Sequence, residues 1–285
     1  MAEVIHADQR RIAFHRQPTE DRPVVVFFHP APGSGVFTLP TGAEDFAVVG
    51  VDRPGYGWSD PMPDGRWATV GSAADDAAAV LGALGVTRAT AIGWSAGGRV
   101  ALALAARHPE AVEAVVVVAT PAPHEEVPWV PAPQYESLMS MRGDPADAVH
   151  ARLVGQLQVM TPADPRSDEA LALLARSPAD DRALDDDDLR AGFGDMLEVA
   201  FRQGVVGLAQ DIAGFMLQPW GFEWGAVGAR TLLVHGQNDP LAGPQHGEWW
   251  QSALPNAELT TVTGAGHISV IRQWEAAVRA VYGRS

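Results

Sequence analysis

The chain has 285 residues, 47% of them hydrophobic and 19% charged, a balance that suits one large α/β domain with an insertion or two small domains. Its net charge of −15 repels phosphate backbones and anionic headgroups, so neither nucleic acid nor a membrane surface is an expected partner. Cysteine and lysine are both absent, all 20 basic residues being Arg. That excludes disulfides, thiolate nucleophiles and Cys-ligated metals, along with Schiff-base and pyridoxal chemistry and the lysine-dependent phosphate loop.

The first eleven residues carry charges where a signal peptide needs an apolar core, and no segment approaches the roughly 18 uninterrupted apolar residues of a membrane span. The cytoplasm is the expected compartment, and the Arg-only, Ala-rich composition fits a high-GC bacterial genome. In chain order, short apolar runs at 24–28, 46–51, 89–92, 115–118 and 231–234, with a weaker alternating one at 258–262, predict strands. Most are apolar on both faces, as in parallel sheets covered on each side. Helical patterns at 70–84, 97–107 and 268–282 lie between them. The alternation predicts an α/β fold with a doubly wound, mostly parallel sheet. It fails from 121 to 229, where Pro-rich turns, an Asp run at 185–188 and a helical pattern at 189–202 occur. That is too long for a simple connection, so it reads as a helical insertion, with a small independent domain as the other form. The expected division is a core of 1–120 and 230–285 with 121–229 as a helical lid.

The chemistry-bearing motif is Gly93-Trp94-Ser95-Ala96-Gly97-Gly98, a G-x-S-x-G between a predicted strand and a predicted helix. A Ser on so sharp a turn needs Gly on either side for close passage, and the helix N-terminus adds its positive end. Serine needs a base to remove its proton, and the base needs a partner to fix its tautomer. Asp239 follows the strand at 231–234, and His267 follows the strand at 258–262 through Gly264-Ala265-Gly266. Ser95, Asp239 and His267 are therefore the candidate nucleophile, orienting acid and base, all at carboxyl ends of strands. A histidine base must be neutral, so activity is expected to rise through about pH 6 to 7. His246 reads as a surface or capping residue, His235 as strand-end packing, and the Asp residues of 121–229 as solvated. A tetrahedral intermediate also needs two oxyanion donors. Ala96 N–H is one; in His29-Pro30-Ala31-Pro32-Gly33-Ser34 the prolines have no N–H, which leaves Ala31 as the other.

In these motifs, over about 24–120 and again from 230 to the end, the chain resembles the α/β-hydrolase fold superfamily. The branch it resembles is the lidded one that includes esterases, prolyl aminopeptidases, epoxide and haloalkane hydrolases and carbon–carbon bond hydrolases. Asp52-Arg53-Pro54-Gly55-Tyr56-Gly57-Trp58-Ser59 is similar to a turn that these proteins carry after the fourth strand, and it reads as structural. His29-Pro30 stands where the family usually has His-Gly. The Asp nucleophile of epoxide and haloalkane hydrolases is replaced by Ser95, which argues against both. The resemblance implies hydrolysis of a small-molecule substrate, a small carboxylic ester foremost. Prolyl-type aminopeptidase and carbon–carbon hydrolase readings use the same triad, and a ligand-binding receptor with little turnover is the reading of another class. Trp94, Met196, Phe201 and Phe215 are candidates for an apolar acyl pocket or for ordinary core packing. No cofactor or metal is expected, and the oligomeric state is open.

Overall fold

The computed structural model describes residues 2–17, 22–36 and 45–282. Eight strands form one sheet: β1 (Glu3–Ala7), β2 (Arg10–Arg16), β3 (Val24–Phe28), β4 (Ala47–Val51), β5 (Ala89–Trp94), β6 (Val112–Val118), β7 (Arg230–Gly236) and β8 (Ala257–Val262). Their order is β1-β2-β4-β3-β5-β6-β7-β8, with β1, β2 and β4 paired antiparallel and every other pair parallel. The apolar runs become the central strands because each can bury both faces. Val26, Phe28, Ala91, Val115 and Val117 turn to one core, while Val25, Phe27, Ile92, Trp94, Val116 and Val118 turn to the other, the period of two that a pleated strand imposes.

Helices α1 (Val70–Ala83) and α2 (Ala96–Arg107) pack on the first core. Thr69 caps α1 by accepting the Ser72 amide at 3.0 Å, and His108-Pro109 stops α2. Between β6 and β7 the chain forms helices and 3-10 turns without a strand: α3 (Ala132–Met139), α4 (Ala146–Leu157), α5 (Asp168–Ala172), α6 (Asp181–Leu184), α7 (Asp187–Ala200) and α8 (Val206–Leu217). Asp186 caps α7 through the amides of Asp188 and Leu189, which gives the Asp run a local role. Helix α9 (Pro244–Ala253) joins β7 to β8, and α10 (Trp274–Tyr282) closes the second core.

Two features differ from the sequence expectation. The segment 268–282 is not one helix: Ser269–Gln273 form a 3-10 turn before α10. The carboxylate of Asp180 accepts the Ile268 and Ser269 amides there and fixes the entry of the turn. The antiparallel β1–β2 hairpin was not signalled by the apolar runs. Its turn residues Asp8 and Gln9 both have positive φ, 49° and 61°, the requirement of a two-residue hairpin turn. No helix among the described residues is long and apolar enough to cross a membrane.

Candidate active site

Ser95 sits between β5 and α2 with φ 55° and ψ −121°, a conformation that costs a residue with a side chain on the order of 1–3 kcal/mol. The surroundings hold it there: Ser95 N donates to Val118 O at 2.8 Å, Thr120 Oγ1 donates to Ser95 O at 2.8 Å, and Gly98 N donates to the same oxygen at 3.1 Å. The motif's glycines are demanded sterically. A Cβ on Gly93 would overlap the backbone of Gly97, and one on Gly97 would strike the Phe28 carbonyl.

His267 and Asp239 meet at the same edge of the sheet. Nδ1 of His267 lies 2.8 Å from Asp239 Oδ2, with both side chains buried. Asp239 Oδ1 accepts the amides of Leu241 at 2.8 Å and Ala242 at 2.9 Å. Burial works against ionisation of this carboxyl. The charge and hydrogen bond of His267, helped by the two amides, outweigh it and hold Asp239 below the usual carboxylate range. An ionised Asp239 can only accept, so in the neutral form of the ring Nδ1 carries the proton and Nε2 keeps its lone pair. Trp94 Nε1 donates to His267 O at 3.1 Å, and the two rings lie 6.0 Å apart, which ties the histidine loop to the strand that presents Ser95. Among the described residues no hydrogen bond joins Ser95 to His267.

Neither Ala31 N nor Ala96 N donates to a protein acceptor among the described residues. The loop that carries Ala31 is fastened at several points. Arg53 Nη1 donates to His29 O at 2.5 Å and Nη2 to Pro30 O at 2.8 Å, while Arg53 N donates to His29 Nε2 at 3.2 Å. The same guanidinium grips Asp211 of α8, with Nη2 2.6 Å from Oδ2 and Nε 3.0 Å from it. Farther along, Gly35 N donates to Asp52 Oδ1 at 2.7 Å and Ser34 Oγ to Met196 O at 3.0 Å. Ser59 Oγ bonds Asp52 O at 2.7 Å, so the 52–59 turn braces this loop as well as itself.

The expectation that the Asp residues of 121–229 are solvated is corrected at two positions. Asp211 is 3% exposed and Asp180 fully buried. Every donor around them explains why burial is tolerated: Arg53 neutralises Asp211, and four donors saturate Asp180. Asp180 Oδ1 takes the amides of Ile268 at 3.2 Å and Ser269 at 2.8 Å, and Oδ2 takes Ser177 N at 2.9 Å and Oγ at 3.0 Å. It thus pins the residue following His267. The Ser177-x-x-Asp180 spacing of a capping box was the local signal available, but the amides of residues 268 and 269 that complete its shell are distant in the chain. Asp180→Asn must turn an NH₂ group toward one pair of donors. The expected result is a fall in kcat of about 10- to 100-fold with KM little changed, measured by steady-state kinetics, since a small displacement of the imidazole costs rate rather than binding. A proportionate change in KM alone would remove Asp180 from this positioning role.

His246 is also corrected. It is 1% exposed, and its Nδ1 accepts the Ala122 amide at 3.1 Å, a bond that only the neutral ring can accept. Burial, with repulsion from His235, lowers its pKa to about 4. Burial likewise holds His29 well below the ordinary histidine value and lowers His235, which packs at the end of β7 as expected. Each folded pKa lies below its unfolded value near 6.5, so the unfolded chain binds more protons in acid. The associated stability is present above about pH 6.5 and is lost as pH falls toward 4. A drop of at least about 2 kcal/mol between pH 7 and pH 5 is expected in urea unfolding, and equal midpoints at the two pH values would contradict neutral burial.

The four pocket candidates are placed differently from one another. Trp94 and Met196 are fully buried in the second core with Phe193, Phe201 packs half-buried against it, and Phe215 packs on the first core. Phe215 also lines a cavity of about 790 Å³ beside α2, in which neither Ser95, Asp239 nor His267 takes part.

A family model described as the alpha/beta hydrolase fold matches residues 23–272. The chain belongs to that family. This hydrolase is 28% identical over 261 residues to 2-hydroxymuconate semialdehyde hydrolase of Pseudomonas putida, covering 85% of this chain and 80% of that one. It is 26% identical to pimeloyl-[acyl-carrier protein] methyl ester esterase of Nitrosospira multiformis, covering 79% of each. A serine hydrolase-like protein of Danio rerio is 37% identical over 105 residues, but the chain spans only 32% of its length. Among solved structures, a thermophilic esterase from Thermogutta terrifontis superposes with a TM-score of 0.71 at 20% identity, covering 99% of this chain and 97% of that one. The enol-lactonase of Burkholderia xenovorans gives 0.67 at 20% identity, covering 99% and 98%. At such identity these two speak for the shared fold. The hydrolase is thus an enzyme of the α/β-hydrolase fold, with a methyl ester esterase and a semialdehyde hydrolase among its relatives.

Proposed function

We propose that this hydrolase cleaves a small carboxylic ester by acyl transfer through Ser95, His267 and Asp239. The observation that carries the reading is the strained Ser95 at the β5–α2 turn, on the sheet edge that holds the 2.8 Å His267–Asp239 pair. His267 Nε2 takes the hydroxyl proton as Ser95 Oγ attacks the carbonyl carbon, and the free amides of Ala31 and Ala96 receive the developing oxyanion. The protonated imidazole gives its proton to the leaving alcohol, and the acyl group stays on Ser95. Water, deprotonated by His267, then attacks the acyl-enzyme, releases the carboxylic acid and restores the hydroxyl. Residues 121–229 serve as the lid in this reading. Its α8 reaches the oxyanion loop through Asp211 and Arg53, so the lid and the oxyanion donors are mechanically linked.

The relative from Pseudomonas putida, a semialdehyde hydrolase, favours carbon–carbon cleavage as a second reading on the same residues. A panel of short-chain aryl esters, aminoacyl-arylamides and vinylogous keto acids, each with active-site titration by a fluorophosphonate probe, separates the readings. Ester turnover with stoichiometric labelling of Ser95 is the expected result. Preferred cleavage of the keto acids selects the second reading, and an unlabelled Ser95 overturns both.

A further inference from the structure

Beside α2 lies the cavity of about 790 Å³ that none of Ser95, Asp239 and His267 lines; Arg99, His124, Glu125, Arg142, Trp220 and Trp224 are among its walls. Arg99 is 3% exposed, and among the described residues its guanidinium makes one hydrogen bond, from Nη2 to Pro121 O at 3.3 Å. Its Nε is buried without a partner, and no carboxylate pairs with it among the described residues. The guanidinium instead lies over two aromatic rings, 4.6 Å from the Trp220 centroid and 5.3 Å from that of Trp129. A buried cation without a counter-ion is costly, and cation–π contacts replace only part of the lost hydration. Burial lowers its pKa to about 10, against the opposing fields of Asp211 and Glu125, so it keeps its charge at neutral pH.

Glu125 is not its missing partner. That carboxylate accepts the Tyr135 hydroxyl at 2.7 Å and faces Arg142 at 3.9 Å. We propose that this cavity is a binding site for a monocarboxylic acid, the carboxylate seated on Arg99 and an apolar body against Trp220, Phe222 and Trp224. The planar fork of a guanidinium matches a carboxylate, and the aromatic wall suits an aryl or alkyl group. A dianion is disfavoured because Glu125 and Glu223 also line the cavity. None of Ser95, Asp239 and His267 lines the site, so it does not depend on the ester-hydrolase reading. The acid could come from the enzyme's own reaction or from elsewhere.

The test compares sodium phenylacetate with phenylacetamide, its uncharged analogue, by calorimetry on the full chain. Phenylacetate is expected to bind, the amide at least tenfold more weakly, and Ser95→Ala or fluorophosphonate-treated enzyme is expected to bind phenylacetate as the untreated protein does. Arg99→Met is expected to lose phenylacetate binding at least tenfold while its thermal midpoint stays equal or rises, because it removes an unpaired buried charge. A purely structural Arg99 would lower the midpoint instead. Should the Met variant not fold, Arg99→Lys, which keeps the charge without the fork, is expected to weaken phenylacetate binding and not amide binding. Equal binding of acid and amide, no binding of phenylacetate at millimolar concentration, or loss of binding on blocking Ser95 would each overturn the proposal. Inhibition kinetics give a second reading: a noncompetitive pattern of phenylacetate against the ester is expected, and simple competition would overturn the proposal; calorimetry with the acid that the enzyme itself releases, beside phenylacetate, tells the two sources apart.

Discussion

Ser95→Ala is expected to lower kcat by on the order of 10⁶, because members of a triad act as one unit and loss of the nucleophile removes the covalent route entirely. Residual turnover, on the order of 10³–10⁴ over water, would come from binding and from the Ala31 and Ala96 amides. The fold should survive. Alanine meets the same backbone strain at φ 55°, and among the described residues the hydrogen bonds that hold the turn come from the Ser95 and Gly98 backbone and from Thr120, none from the serine hydroxyl. The thermal midpoint should therefore change little while the pre-steady-state burst of released alcohol disappears. Single-turnover kinetics beside calorimetry measure both, and turnover within tenfold of the unmodified enzyme would end the acyl-enzyme mechanism.

The parts of the site legible in sequence are those set by local rules. The strand–turn–helix around Ser95 is written in consecutive residues, because Gly93 and Gly97 are required by close backbone passage within the motif. Asp239 and His267 follow strands whose apolar runs announce them, and chain order supplies the rest. What stayed hidden depends on partners distant in sequence. Asp180 contacts residues 268 and 269, and Asp211 contacts Arg53, so their burial is decided by tertiary donors that an acidic composition conceals. His246 was hidden for the same reason, its partner being the amide of Ala122. The β1–β2 hairpin escaped because Asp8-Gln9 is not the Asn-Gly or Asp-Gly pair by which such turns are recognised, and Glu3–Ala7 is mostly exposed. In sequence Arg99 is a single polar residue in an Ala/Leu-rich helix; only the fold brings two tryptophan rings against it.

Asp239→Asn isolates what the carboxylate does. In the folded enzyme Oδ1 accepts the Leu241 and Ala242 amides, so the asparagine oxygen must occupy that position and its NH₂ must face His267. Two donors cannot share one bond, and the imidazole must move its proton to Nε2, leaving Nδ1 to accept. The ring then presents a proton to Ser95 where a lone pair is needed. A loss of about 10⁴ in kcat at neutral pH follows, with KM nearly unchanged, since the substrate does not touch position 239. Stability gives an independent reading with a definite sign. The Asp239 carboxyl is held below its unfolded value, so its contribution is present above about pH 4 and is lost as pH falls through the folded value. Asp239→Asn should therefore be less stable than the parent at pH 7, with the difference shrinking in acid below about pH 4. An asparagine variant that retains full activity at pH 7 would mean that His267 finds its tautomer without Asp239, and the proposed division of labour among the three side chains would have to be redrawn.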